Sequence, residues 1–212
     1  MLVGVVIPGV VGLGLGAMIP ALVRPWSPCP PRTSAFTAST CAVLFAAMAG
    51  HFDDAITIVT YCILSFGLLV SSTIDIGTHR LPREITYATA ALGAPLLFAS
   101  AHLSGNDHRI WTALSGASLA LAVMGLFHVL SRGGLGDGDV RFSPLLGLYT
   151  GWSSLADVVD GLFLGFATGA VWGLALMIIG RAGRKTALPF GPFLALGAVL
   201  AILLPGPLVI VP

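Results

Sequence analysis

From Leu2 to Val23, from Ala35 to Gly50 and from Ala55 to Ile74 the chain carries no charged residue. About 20 apolar residues in helical form cross the hydrocarbon core of a bilayer. Lipid offers no partner to a bare N–H or C=O, so a segment placed in it must be a helix or a strand of a closed barrel. The alternation of apolar and polar residues that a membrane barrel needs is missing, which leaves helices. Composition excludes the other classes. Of 212 residues 56% are hydrophobic and 9% charged, and the mean hydropathy is +0.97. A soluble domain carries about 25% charged residues, and disorder goes with low hydrophobicity and high net charge.

The apolar runs predict an all-α integral membrane protein, a bundle of about eight transmembrane helices. Spans are expected near Leu2–Val23, Ala35–Gly50, Ala55–Ile74, Arg83–Leu103, Ile110–Leu130, Val140–Trp152, Leu155–Gly180 and Leu188–Leu204. The sixth is short for a crossing and has the length of a re-entrant segment. Met1-Leu2-Val3-Gly4 lacks the basic start of a cleaved signal peptide, so the first run is read as a retained helix. The whole of 1–212 is read as one polytopic domain, with 24–34 a short loop between the first two spans.

With eight crossings, the first, third, fifth and seventh connections share a side. They hold Arg24 and Arg32, Arg80 and Arg83, Arg132 and Arg141, and Arg181, Arg184 and Lys185; only Arg109 lies opposite. Basic residues concentrate on the cytoplasmic side, so the termini are expected outside and the odd connections in the cytoplasm. Arg80, Arg83 and Arg141 are read as orienting the protein. The first partner expected is the bilayer itself. A net charge of +1 gives no electrostatic case for nucleic acid.

Cys29, Cys41 and Cys62 include no CxxC pair, and His51, His79, His102, His108 and His128 include no i, i+4 pair. No metal site is expected. Gly161, Gly165, Gly169 and Gly173 recur every fourth residue, as Gly12 with Gly16 and Gly147 with Gly151 also do, a spacing that lets helices approach closely.

Two acidic segments stand out. Ile74-Asp75 ends the third apolar run and is followed by Leu81-Pro82-Arg83-Glu84-Ile85-Thr86; Gly136-Asp137-Gly138-Asp139-Val140-Arg141 leads into the sixth. Pro82 suits the first turn of a helix, and Glu84 there complements the positive helix end. Asp75, at a helix C-terminus, opposes the dipole instead. The glycine-rich run lacks the Lys-Ser/Thr of a P-loop, and no EF-hand ligand set follows it. Both segments fall on the side assigned to the cytoplasm. Two carboxylates brought close cannot both ionise easily, so they share a proton. One then takes a proton from water while the other polarises a peptide carbonyl. Residue chemistry by itself leaves Asp137 and Asp139 both open as the partner of Asp75.

Gly136-Asp137-Gly138-Asp139 with Val140-Arg141, Ile74-Asp75 with Leu81-Pro82 and Ile85-Thr86, and Pro189-Phe190-Gly191-Pro192-Phe193 together resemble the type IV prepilin peptidases, GxGD membrane aspartyl proteases. The resemblance covers the chain from about the third span onwards. It implies that Asp75 and Asp139 are the catalytic pair, supported by Gly136, Gly138, Pro82 and Arg141, which stands where the family usually has Lys. Asp137 takes the variable position, as a solvated turn carboxylate. The implied reaction is removal of the basic leader of prepilin or pseudopilin substrates at the cytoplasmic face. Larger members carry a segment with paired cysteine motifs after the first span and methylate the new N-terminus with S-adenosylmethionine. Here that place holds the loop with Cys29, as in the short members linked to Flp/Tad-type pili, so neither zinc nor S-adenosylmethionine is expected. The substrate's apolar segment is expected to pack on the glycine faces. The competing readings are a proton-coupled transporter, which also uses carboxylates at the membrane, and a noncatalytic component of a secretion or pilus machine.

Overall fold

The apolar runs form helices and little else. The computed structural model describes residues 2–26, 33–132, 134–181, 183, 188–204, 206 and 208, with side chains from Gly4 onwards. Eight helices are present among them: α1 (Leu2–Leu22), α2 (Thr33–His51), α3 (Ala55–Thr78), α4 (Arg83–Leu103), α5 (His108–Leu130), α6 (Asp137–Thr150), α7 (Leu155–Ile178) and α8 (Gly191–Leu203). The chain is thus an all-α membrane protein. α1, α2, α3, α5 and α7 are each long and apolar enough to cross a membrane. α4 has the length, with 21 residues, but its Arg83, Glu84 and His102 make it more polar. α6 and α8 have 14 and 13 residues, which at 1.5 Å per residue is about 20 Å, short of a hydrocarbon core of about 30 Å. Most of the loop 24–34, with Cys29 and Arg32, lies outside the described residues, as do Gly133, Arg184 and Lys185.

Three boundaries differ from the apolar runs by three residues or more. α3 continues through Asp75 to Thr78, because polar residues break a hydropathy run without breaking backbone hydrogen bonds. α6 begins at Asp137, where acidic residues suit a first turn. α8 begins only at Gly191, with a proline in its first turn, where the missing N–H is not needed.

The chain divides into two compact units. The first joins Met1–Thr78 with Pro82–Ile110. In it Gly12 and Gly16 let α1 lie on α2: a methyl on Gly16 would come within 2.6 Å of Cys41 Cβ. Thr37 Oγ1 donates to the Gly16 carbonyl at 2.8 Å and so ties the two helices where they touch. Gly67 of α3 receives Thr89 of α4. At the far end of that pair, Thr57 and Ser100 both donate to Asp54 Oδ2, at 2.9 Å each. Ile19, Val23, Val70 and Ile74 form a buried cluster directly before Asp75.

The second unit joins His79–Leu81 with Trp111–Pro212. Gly147 and Gly151 pack against Gly116 of α5, and Ser143 Oγ donates to the Ala120 carbonyl at 3.2 Å. Phe142 and Tyr149 of α6, and Trp152 just after it, are buried. The glycine face of α7 is also filled. Gly161 meets Ala198, Gly165 meets Leu194, Gly169 meets Phe190, and Gly197 of α8 returns the contact to Gly161. The expectation that a substrate segment packs on Gly161 and Gly165 is therefore wrong, because α8 already occupies that face.

Candidate active site

Burial singles out three of the nine acidic residues. Asp75 is 4% exposed, Asp139 8% and Asp160 2%. A carboxylate taken from water without compensation is strongly unfavourable, so each burial needs a reason. For Asp160 the reason is structural: its Oδ2 accepts from the backbone N–H of Leu208 at 2.6 Å and holds the segment after α8.

Asp75 lies in the first unit, in the last turn of α3. Ile74 anchors that turn in the apolar cluster, and Thr78 Oγ1 donates back to the Ile74 carbonyl at 2.8 Å. The helix then stops at His79, whose φ of 53° is left-handed. Pro82, also of the first unit, is the N-cap of α4 with φ −66° and ψ 124°. It stands one position before the first turn, where the sequence had placed it, because an extended ψ cannot continue a helix. The Arg83–Glu84 contact of 3.4 Å that follows is largely exposed and contributes little.

The second unit gathers Gly136, Gly138, Asp139 and Arg141 on one helix start. Gly136 is the N-cap of α6, with φ −67° and ψ 142°, and its carbonyl accepts from Asp139 N at 3.1 Å. A methyl on Gly136 would stand 3.2 Å from Asp139 Oδ2, so the missing side chain makes room for the carboxylate. The unpaired N–H groups and the dipole of a helix start favour an anion there. Gly138 serves a different neighbour: a methyl on it would lie 3.2 Å from Leu81 Cβ. The two glycines of the motif thus have separate steric causes.

Asp137, unlike Asp139, is largely exposed. Its Oδ1 is 3.4 Å from His128 Nε2, and its Oδ2 is 3.9 Å from Arg141 Nη2. His128 Nδ1 meets the Leu135 carbonyl at 2.8 Å, and Ser131 Oγ accepts from Leu135 N at 3.1 Å. The last turn of α5 therefore grips the loop before α6. His128 lies in the last turn of an apolar helix, and hydropathy gives no sign of these partners because they lie across the turn that follows it. Among the described residues no three His, Cys, Asp or Glu side chains are grouped to hold a metal ion.

The family model for the type IV leader peptidase family matches residues 62–205, which include Asp75, Pro82, Gly136, Asp139 and Arg141. Among curated proteins, a prepilin leader peptidase/N-methyltransferase of Stutzerimonas stutzeri is 30% identical over 168 residues, 77% of this chain and 55% of that protein. Proteins of the same name from Bacillus subtilis and Pectobacterium carotovorum are 28% and 33% identical, over 76% and 68% of this chain and 62% and 50% of their own. The chain spans between half and two thirds of the length of these relatives. No solved structure matches it. With most of its length matched to the family's model, this chain belongs to the type IV leader peptidase family.

Proposed function

We propose that the protein is a membrane aspartic endopeptidase that removes the basic leader of prepilin or pseudopilin substrates at the cytoplasmic face, with Asp75 and Asp139 as its catalytic pair. The observation that carries this reading is the burial of Asp75 in the last turn of α3 and of Asp139 in the first turn of α6, both inside the matched region and in the two motifs the family resemblance rests on. The names of the relatives supply the substrate class. Acting on one peptide bond, the two carboxylates share a single proton, because like charges at close range raise one of the two pKa values. The ionised member takes a proton from water, and the resulting nucleophile attacks the scissile carbonyl carbon. The protonated member donates to the carbonyl oxygen as charge develops on it. Collapse of the tetrahedral species expels the new amino terminus, which takes up a proton. The pair needs no covalent intermediate and no metal.

Membership of the family disfavours the transporter and the noncatalytic component. Co-expression with a prepilin from the same genome, followed by mass spectrometry, tests the reading. Leader loss in the wild type, abolished by Asp75→Asn and by Asp139→Asn but not by Asp107→Asn, is the expected result. The mass of the new N-terminus reports whether it is methylated. Cleavage by a folded Asp75→Asn or Asp139→Asn protein would overturn the pair, and no cleavage of any of several prepilins would overturn the activity.

A further inference from the structure

Hydroxyl groups inside α3 follow one habit. Thr60, Ser65, Thr73 and Thr78 each donate to the carbonyl four residues back, at 2.7 or 2.8 Å, which satisfies a hydroxyl within an apolar helix. Ser71 departs from it. The residue is 1% exposed, and among the described residues its Oγ has no hydrogen-bond partner, the Gly67 carbonyl four residues back included. A hydroxyl held away from water without a partner is unfavourable, whereas alanine fills the same space without that penalty. Such a group in a folded protein calls for an explanation, and a part in catalysis is one. Its place in α3 points to that part. Leu64, Leu68, Ser71 and Asp75 follow one another at helical spacing and are all buried, so they form one face of the helix. On that face Ser71 is the last residue before Asp75, one turn back.

We propose that Ser71 is a further active-site residue, whose hydroxyl holds the attacking water against Asp75. This rests on the peptidase reading of Asp75. Residues four apart on a helix have Cβ atoms about 5–6 Å apart, so their polar atoms are spaced for one bridging water. A water is held in a buried site by roughly two to four polar partners. One hydrogen of this water lies on the Asp75 carboxylate and the other on Ser71 Oγ, which leaves the lone pairs of its oxygen for the scissile carbonyl carbon. In the reaction the bond between the water oxygen and the hydrogen on Asp75 breaks, the proton passes to the carboxylate, and the oxygen bonds to the carbonyl carbon. Ser71 keeps its own proton and forms no covalent bond. A water fixed at two points is oriented before the reaction begins. That lowers the barrier to the chemical step and leaves the binding of the substrate unchanged.

The test follows single-turnover cleavage of one prepilin by the purified full-length protein in mixed micelles, with the unfolding midpoint measured beside it. Wild type is compared with Ser71→Ala, Ser71→Cys and the control Ser65→Ala. Ser71→Ala is expected to lower the rate at saturating enzyme about threefold to tenfold and to leave the half-saturating concentration within about twofold. Its midpoint should stay or rise, because the substitution removes an unpartnered hydroxyl. Ser71→Cys keeps the size of the side chain but is a weak donor and acceptor, so its rate should fall likewise; it also serves should Ser71→Ala not fold. Ser65→Ala, whose hydroxyl is engaged by the Tyr61 carbonyl, should cleave as the wild type does. A wild-type rate in Ser71→Ala or in Ser71→Cys would overturn the proposal, and so would a rate loss that comes with a lowered midpoint, which makes the hydroxyl a structural group. If the wild type cleaves nothing, or a folded Asp75→Asn still cleaves, the peptidase reading of Asp75 fails and the role of Ser71 with it. Asp75-dependent cleavage that is equally fast in Ser71→Ala overturns the role of Ser71 alone.

Discussion

Leu81 packs onto Gly138: a methyl built on the glycine would lie 3.2 Å from Leu81 Cβ and 3.6 Å from its backbone nitrogen. Leu81 belongs to the short segment that follows α3 and its Asp75, and Gly138 immediately precedes Asp139. The glycine is thus a matter of space, and its replacement is a direct test. Gly138→Ala should lower stability modestly, because the leucine must give by a few tenths of an ångström. Gly138→Val should cost about 1–3 kcal/mol, the usual range for overpacking. Gly125, in the interior of α5 with nothing within 4 Å of a built methyl, should respond with the opposite sign. Gly125→Ala is expected to stabilise by up to about 1 kcal/mol through helix propensity. Reversible unfolding in mixed micelles measures all three.

Gly14 and Gly16 lie two residues apart on α1 and should behave differently. Gly16 is buried on α2, where a methyl would come within 2.7 Å of Ala38 Cα, whereas Gly14 is exposed with nothing within 4 Å. Gly16→Leu is expected to destabilise by about 1–3 kcal/mol or more, and Gly14→Leu to be neutral or slightly stabilising. The same unfolding measurement separates them.

Asp54 sits before α3, where the Thr57 backbone N–H donates to it at 2.8 Å and the Thr57 and Ser100 hydroxyls at 2.9 Å. These bonds, the Thr57 backbone first, hold its carboxyl below the usual carboxylate range. A depressed folded-state pKa means that the stabilisation is present above the unfolded value, about 3.9, and is lost as pH falls through the folded one. Because Asp54 is exposed, solvent screens the effect and it is small. Wild type should lose some stability between about pH 5 and pH 2 that Asp54→Asn does not. An equally steep acid limb in both proteins would assign that loss to other groups.

His79 and Arg132 hold φ values of 53° and 50° just after α3 and α5. Left-handed backbone costs a residue with a Cβ about 1 kcal/mol that glycine avoids. His79→Gly and Arg132→Gly are each expected to raise stability by about 0.5 kcal/mol, the gain being reduced by the greater freedom of unfolded glycine. His79→Val should go the other way. Unfolding midpoints at constant pH decide the sign.

Much of the secondary structure was legible because membrane insertion writes itself into hydropathy. Each expected span contains a helix, and α4 runs over the very residues foreseen, Arg83–Leu103. Hydropathy fails where a helix continues on polar residues. Asp75 therefore lies inside α3 rather than beyond it, and Asp137 and Asp139 lie inside the first turn of α6 rather than in the loop before it. In both cases the backbone keeps its hydrogen bonds whatever the side chains prefer.

The candidate site divides along the same line. The sequence by itself determined the class of protein, the order of its helices and the residues worth naming, since charge scarcity, apolar runs and the GxGD spacing are properties of the chain read in one dimension. Only the tertiary structure decided which neighbours those residues have. It showed that α8 fills the glycine face of α7, that Asp160 is a buried acid bound to Leu208, that Gly136 and Gly138 make room for Asp139 and Leu81 respectively, and that His128 reaches Leu135 and Asp137. The physical reason is that a stripe of small residues or a lone histidine specifies a shape or a pair of hydrogen-bonding atoms, and several partners satisfy either. The choice among them follows from where the turns send the chain.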